Sequence, residues 1–298
     1  MSAYTDLDIR MKEFYEFIPK TKLMRRTPVI LRIDGKAFHS FTRGFKKPFD
    51  EILIKSMQDT MKYLCENIQG CVLGYTQSDE ISLLLVDYKN LNSSAWFDYE
   101  VQKLCSISAS MATLAFNKAF SKNVQNYYEA NVDIIPLYTA EYKYSDEFDK
   151  DYFFNVLAKA EEKGAMFDAR CFNIPKEEVA NYFYWRQKDA SKNSIQMLGR
   201  AYFSHKELHN KNGNDIQDML MLEKSVNWND LPTTQKRGSC CIKTDWTTEC
   251  AKTTNTGEVI TWNERPHWYI DYNIPIFKGE DRNYIERFVY ISESDSYD

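Results

Sequence analysis

Asp34 and Asp79 stand where two apolar runs of the chain stop. Pro28-Val29-Ile30-Leu31-Arg32-Ile33 ends abruptly at Asp34-Gly35, and Cys71-Val72-Leu73-Gly74-Tyr75-Thr76 runs into the polar turn Gln77-Ser78-Asp79-Glu80. If these runs lie in neighbouring strands, both carboxylates converge on one edge of a sheet with Glu80 beside them. Two Asp carboxylates and a backbone carbonyl such as that of Gly35 suit magnesium, which takes hard oxygen ligands and keeps several waters. Two divalent ions about 3.5–4 Å apart can activate an attacking hydroxyl and hold a departing phosphate, as phosphoryl and nucleotidyl transfer require. Gly35-Lys36-Ala37-Phe38-His39 follows directly and offers successive backbone amides to a triphosphate, with Arg43, Lys46 and Lys47 just downstream as neutralising cations. The bland alternative is that Asp34-Gly35 is a plain turn and Asp79 a hairpin tip, both common in solvated loops.

The elements around these residues determine whether they meet. Residues 28–33 predict a strand buried on both faces. Leu53, Met57, Met61 and Leu64 recur at helical spacing, with Asp50 as N-cap and Gly70 just past the end. CVLGYT and ISLLLVD then predict a β-hairpin with an acidic tip, and Val101, Leu104, Ser108, Met111, Ala115 and Ala119 mark one face of a second helix. A last strand over 166–172 completes a ferredoxin-like βαββαβ unit of the α+β class, after an insertion over 121–165 that contains a helix from Lys150 to Lys163. Helical pattern resumes at Lys176 and runs through residue 204. A loop over 209–215 and a short helix ending near Leu222 follow, then strand-like segments at 240–244 and within 259–277. Three stretches result: a catalytic core over 1–136, the insertion, last strand and helical part over 137–245, and an extension over 246–298 with an acidic tail.

Composition sets the outer bounds. With 298 residues, 43% of them hydrophobic, and only 10 Gly and 8 Pro, the chain is neither disordered nor collagen-like. Lys and Arg number 38 against 43 Asp and Glu, for a net charge of −5, so a nucleic-acid partner must be met by local basic clusters. Such clusters occur at Lys20, Lys22, Arg25 and Arg26, and at Lys236-Arg237. The seven cysteines include no C-x-x-C pair and mostly have apolar neighbours, which predicts reduced thiols and a cytoplasmic protein. No run approaches the ~18 apolar residues of a membrane span. His205 and His209 have helical zinc spacing but lack a third ligand, and Trp185 with Tyr182, Phe183 and Tyr184 is expected to fill core or a subunit interface.

Taken together, RIDGKAFHSFTRGFKKPFDE and GYTQSDEISLLL resemble the paired signatures of the tRNA-His guanylyltransferase family and its Thg1-like relatives. FDARCF, YFYWRQKDA and the SHKELH segment extend the resemblance over roughly residues 5–245 in the same order. It implies a palm like that of ordinary polymerases, run in reverse, adding nucleotides to the 5′ end of tRNA in the 3′→5′ direction. Family metal ligands match Asp34, the Gly35 carbonyl and Asp79, with two magnesium ions implied and Glu80 an adjoining catalytic acid. Lys36, Ala37, Phe38, His39 and Ser78 match the stretches that hold the nucleotide, and Lys47 and Lys103 match residues handling triphosphates. GTP and ATP are the implied substrates, tRNA the partner and a homotetramer the assembly, with Arg186, Gln187 and Asn193 as residues facing tRNA.

The resemblance breaks where eukaryotic members carry a His-Ile-Asn-Asn run, here Ser191-Lys192-Asn193-Ser194, and where a basic stretch is replaced by Asp98-Tyr99-Glu100. The first loss implies the type that favours templated 5′-end repair over G addition to tRNA-His. A palm-type nucleotide cyclase or a 5′→3′ polymerase shares the two-Asp arrangement, and a non-catalytic RNA-binding scaffold is the rival outside enzymology.

Overall fold

Short β-branched and apolar runs form six strands of one antiparallel sheet. The computed structural model describes residues 5–90, 92–134, 142–145, 148–244, 248–253, 259–264 and 266–290. The strands are β1 (Val29–Gly35), β2 (Cys71–Gln77), β3 (Glu80–Leu85), β4 (Phe167–Asn173), β5 (Ser239–Lys243) and β6 (Trp268–Asp271). Their spatial order is β6-β5-β2-β3-β1-β4. The principal helices are α1 (Glu51–Asn67), α2 (Val101–Asn131), α3 (Lys150–Ala158), α4 (Lys176–Tyr202) and α5 (Gly213–Lys224). Two separate strand pairs, Val132–Ile134 with Tyr142–Tyr144 and Thr248–Thr253 with Val259–Glu264, stand apart from the sheet.

The α+β class and the order β1-α1-β2-β3-α2-β4 agree with the pattern of the sequence, with α3 inserted before β4. Two features differ from expectation. Residues 121–131 belong to α2, which runs on without a break, so the inserted segment starts only after Asn131. β5 and β6 widen the sheet beyond β2, although nothing in their short mixed runs distinguishes a sheet strand from a peripheral one.

The two-residue alternation of a strand sorts the core onto two faces. Val29, Leu31 and Ile33 of β1, with Ile81, Leu83 and Leu85 of β3, pack against Met57, Met61 and Leu64 of α1 and Leu104, Phe116 and Phe120 of α2. Ile30, Leu84 and Tyr75 face Val179 and Phe183 of α4 and the C-terminal residues Ile274, Phe277 and Ile285. Burying each such aliphatic side chain contributes about 1.5–3 kcal/mol. α1 begins at Glu51 because the Asp50 carboxylate accepts the Leu53 amide at 2.9 Å. Cys65, Cys71, Cys105, Cys171, Cys240 and Cys241 are free. Burial holds the Cys65 thiol well above its ordinary range and pushes that of Cys171, beside Cys105, up to about 12, so both stay protonated at neutral pH.

Candidate active site

The hairpin between β2 and β3 turns on two residues, Ser78 and Asp79, with Gln77 opposite Glu80 and Ser78 in a left-handed backbone conformation at φ 51°. The Gly35 amide donates to the Asp79 carbonyl at 3.0 Å, tying the end of β1 to the hairpin tip. Asp34 lies in register with Glu80 on β3 and with Asp168 on β4. Burial raises the Asp79 carboxyl above its ordinary range, and the nearby negative charge of Asp34 adds to the effect. Asp34 and Asp79, forty-five positions apart in sequence, thus share one edge of the sheet and repel each other there.

A bend after β1 builds the wall beside this edge. The Lys36 amide donates to the Met166 carbonyl at 2.8 Å, and Ala37 takes a left-handed conformation that opens the single helical turn Phe38–Phe41. Of the five amides offered by residues 35–39, those of Gly35 and Lys36 are therefore engaged inside the protein. Those of Ala37, Phe38 and His39 have no partner within the described chain. The Phe38 ring is buried against Phe41, Phe116 and Phe167, anchoring the turn while its backbone stays on the surface of the site.

A cavity of about 490 Å³ opens over these groups. Gly35, Ala37, Phe38, His39, Lys47, Ser78 and Asp79 line it together with Lys46, Asp50 and Met197 of α4. Most of the residues matched to nucleotide and metal binding therefore meet in one place. A smaller space of about 80 Å³ adjoins it, sharing Ser78 and Met197 and reaching the exposed Asn193. Lys36 is exposed but does not line the cavity.

Gly35 admits no side chain here. A Cβ at this position would lie 2.2 Å from the Phe38 ring. Gly35→Ala is expected to displace that ring, lower stability by about 1–3 kcal/mol and weaken nucleotide binding together. Thermal denaturation with and without nucleotide checks this, and an unchanged melting temperature would show that the ring has room to move.

Several expected site residues lie elsewhere. Lys103, on the first turn of α2, is next to Glu100 and the Phe97 ring. The Val101 amide there bonds the Thr21 carbonyl, at the end of the sheet where β1 begins, so within one chain Lys103 is remote from the Asp34 edge. Arg186 and Gln187 are interior rather than turned toward a partner. Arg186 makes a bidentate pair with Glu80, Nε and Nη2 each 2.7 Å from a carboxylate oxygen, and also reaches Asp189 at 3.1 Å. Gln187 donates to the Pro275 carbonyl at 2.8 Å and accepts the Phe277 amide at 3.1 Å, fastening the C-terminal segment to α4.

Glu80, grouped with the two aspartates as a reacting acid, thus has both oxygens engaged by Arg186 and is buried. Burial pushes its carboxyl up, offset in part by Arg186. Arg32, on the same sheet face and in register with Ser82, has a buried Nε with no partner among the described residues.

The basic cluster before β1 is also internally tied. Lys20 pairs with Glu16, Lys22 and Arg25 with Asp98, and Arg25 also with the buried Asp87. Lys46, expected from the sequence as a neutralising cation, lies in the cavity wall, and residues outside the sequence-based site set join it there, among them Asp50 and Met197. Their signal lies in their position within the 40–50 loop and on the α4 face turned to Ser78. Among the described residues, no group of three or more His, Cys, Asp or Glu is arranged to hold a metal.

A family model described as tRNAHis guanylyltransferase matches residues 8–175. The chain belongs to the tRNA-His guanylyltransferase family. As a member it is a nucleotidyltransferase acting in nucleotide addition at tRNA 5′ ends. A solved bacterial tRNA(His) guanylyltransferase-like protein in complex with ATP is 40% identical, aligns over 96% of this chain and 100% of its own, and superposes with a TM-score of 0.72. The corresponding complex with GTP is 39% identical over the same shares, with a TM-score of 0.68. The tRNA(His) guanylyltransferase of Debaryomyces hansenii is 26% identical over 255 residues, covering 80% of this chain and 83% of that protein.

Proposed function

We propose that the chain extends 5′-truncated tRNA in the 3′→5′ direction, reading the opposite strand as template. ATP or GTP first activates the tRNA 5′-monophosphate, and the 3′-hydroxyl of the incoming nucleoside triphosphate then attacks that phosphorus and displaces the activating group. The observation that carries the reading is the cavity that joins the Asp79 edge to the unpartnered amides of Ala37, Phe38 and His39, with Lys47 and Ser78 in its wall. Solved complexes of the bacterial relative with ATP and with GTP support both nucleotides as substrates.

The donor set fits magnesium. Two carboxylates that repel across one sheet edge, with the carbonyl of Gly35 next in the chain after Asp34, offer a hard, all-oxygen set that is short of positive charge. Bound there, two ions would supply hydroxyl activation and neutralisation of the leaving group. The protein's own part is to align the triphosphate on the backbone amides, to counter its charge with lysines and to keep the hairpin tip fixed. Glu80 contributes as the anchor of that hairpin through Arg186.

The run β4-β1-β3-β2, four consecutive strands at one end of the sheet, with α1 and α2 on one face, supports a ferredoxin-like palm. Assembly of copies, a homotetramer in this reading, is supported to the extent of an interface by the N-terminal helical segment, which buries none of its residues and exposes Leu7, Phe14, Tyr15, Phe17 and Ile18. No helix among the described residues is long and apolar enough to cross a membrane, and the free thiols of Cys65, Cys71, Cys105, Cys171, Cys240 and Cys241 support a cytoplasmic setting.

Product analysis across intact, one-base-short and template-mutated tRNAs tests the reading. Growth at the 5′ end that follows the template base is the expected result. Cyclic nucleotide, 3′-extended product, or G addition regardless of template would overturn it.

A further inference from the structure

The segment between α2 and β4 has no counterpart in the chemistry described so far, yet it is bonded to the loop that walls the nucleotide cavity. The Tyr152 hydroxyl on α3 donates to Asp50 Oδ2 at 2.8 Å. Asn155 Nδ2 donates to the Arg43 carbonyl at 3.2 Å, and Lys159 Nζ to the Ser40 carbonyl at 3.4 Å. Gly44, left-handed at φ +85°, passes so near α3 that a Cβ on it would lie 2.6 Å from Asn155 Nδ2. Asp50 is the hub of the loop: besides Tyr152 it accepts the Leu53 amide that starts α1, at 2.9 Å, and the Lys46 amide at 3.0 Å.

Lys46 is held in an uncommon way. Its Nζ lies 4.7 Å from the ring centroid of Tyr152 and 5.0 Å from that of Tyr127 on α2, and no carboxylate of the described residues pairs with it. A carboxylate partner would neutralise the ammonium and take up its N–H groups. Two aromatic faces attract the cation while leaving its charge and donors available. A flexible four-carbon stem ordered in advance also loses less entropy when an anion arrives. Lys46 lines the cavity.

We propose that Lys46 is a polyphosphate-binding cation of the nucleotide site and that Tyr152 is its positioning residue. The inserted segment then sets affinity for the triphosphate tail through Asp50 and the two rings. The inference rests on the nucleotide reading of the cavity given above.

The test uses the full chain with a 5′-activated, one-base-short tRNA, reading KM and kcat for GTP alongside melting temperature. Lys46→Met is expected to raise KM roughly tenfold with kcat within about twofold, and Lys46→Arg to restore most of the loss. Tyr152→Phe, which keeps the ring and removes only the hydroxyl, is expected to raise KM by about three- to tenfold. A purely structural brace would instead lower the melting temperature of Tyr152→Phe and leave KM unchanged, and that result overturns the proposal. So does a wild-type KM for Lys46→Met. An Asp79→Asn arm, at a carboxylate that lines the cavity, separates the two levels. If that variant is inactive while both KM values stay at wild type, only the role of the insertion falls; if it is fully active, the cavity reading falls and takes this inference with it.

Discussion

Asp34→Asn and Asp79→Asn are each expected to lower nucleotide addition by about a thousandfold or more while the chain stays folded. The physical case rests on what the two carboxylates do in the unliganded fold. Asp79 is partly withdrawn from water at a hairpin tip, where burial and the Asp34 charge both oppose its ionised form. Neither aspartate side chain makes an ion pair among the described residues. Removing one of two like charges relieves repulsion, so the melting temperature of either variant is expected to equal or exceed that of the parent chain. Activity and stability then move in opposite directions, as they do for groups kept for chemistry rather than for folding.

A second readout accompanies the first. Magnesium that binds only the folded chain stabilises it by mass action, by about 2.7 kcal/mol at a hundredfold excess over Kd, and so raises its melting temperature. That shift is expected in the parent and is expected to vanish in Asp79→Asn. Turnover near the parental rate in either variant, or an undiminished magnesium shift, would mean that the metal lies elsewhere.

Much of this edge was legible in the sequence because its signals are local. A β-branched run ending in Asp-Gly marks both a strand and its end. Asp50 before Leu53, Met57, Met61 and Leu64 announces a helix start, and the structure places that cap one residue before α1. Gln77-Ser78-Asp79-Glu80 between two apolar runs announces the hairpin, which closes on Ser78 and Asp79. The pairing of β1 with β3, which brings Asp34 level with Glu80, followed from the order of elements rather than from any one of them.

What escaped was long-range or depended on which side of a helix faces inward. Lys103 matched a family position, but only the packing of α2 shows that its first turn lies at the far end of the sheet from Asp34. Arg186 and Gln187 were expected to face tRNA. Yet Val179, Phe183, Arg186, Gln187, Ala190 and Ser194 recur at three- and four-residue spacing, and all are buried. Their helical spacing among buried positions turns both inward. The contact between Tyr152 and Asp50 joins residues about a hundred positions apart and has no local pattern at all.

The pairing of Arg186 with Glu80 leads to the second large effect. Both groups are almost fully shielded, and their two 2.7 Å bonds run from β3 to α4 on the face opposite α1 and α2. Arg186→Met would leave a buried carboxylate without its counter-charge one residue from Asp79. Removing one partner of such a pair costs about 3–5 kcal/mol, because the abandoned charge keeps its desolvation penalty. A fall in melting temperature of about 10 °C is therefore expected. Glu80→Gln with Arg186→Met should recover most of the loss, since no buried charge then remains at position 80, and the double-mutant cycle should give a coupling above about 2 kcal/mol. Nucleotide addition by the double variant should stay well below the parental rate even with stability restored. Without the ion pair between positions 80 and 186 the hairpin tip is no longer clamped to α4, and the Asp79 carboxylate loses the alignment that catalysis needs. A coupling near zero would reduce the pair to the worth of a solvent-exposed ion pair, and parental activity in the stable double variant would show that the tip is held by the backbone bond from Gly35 alone.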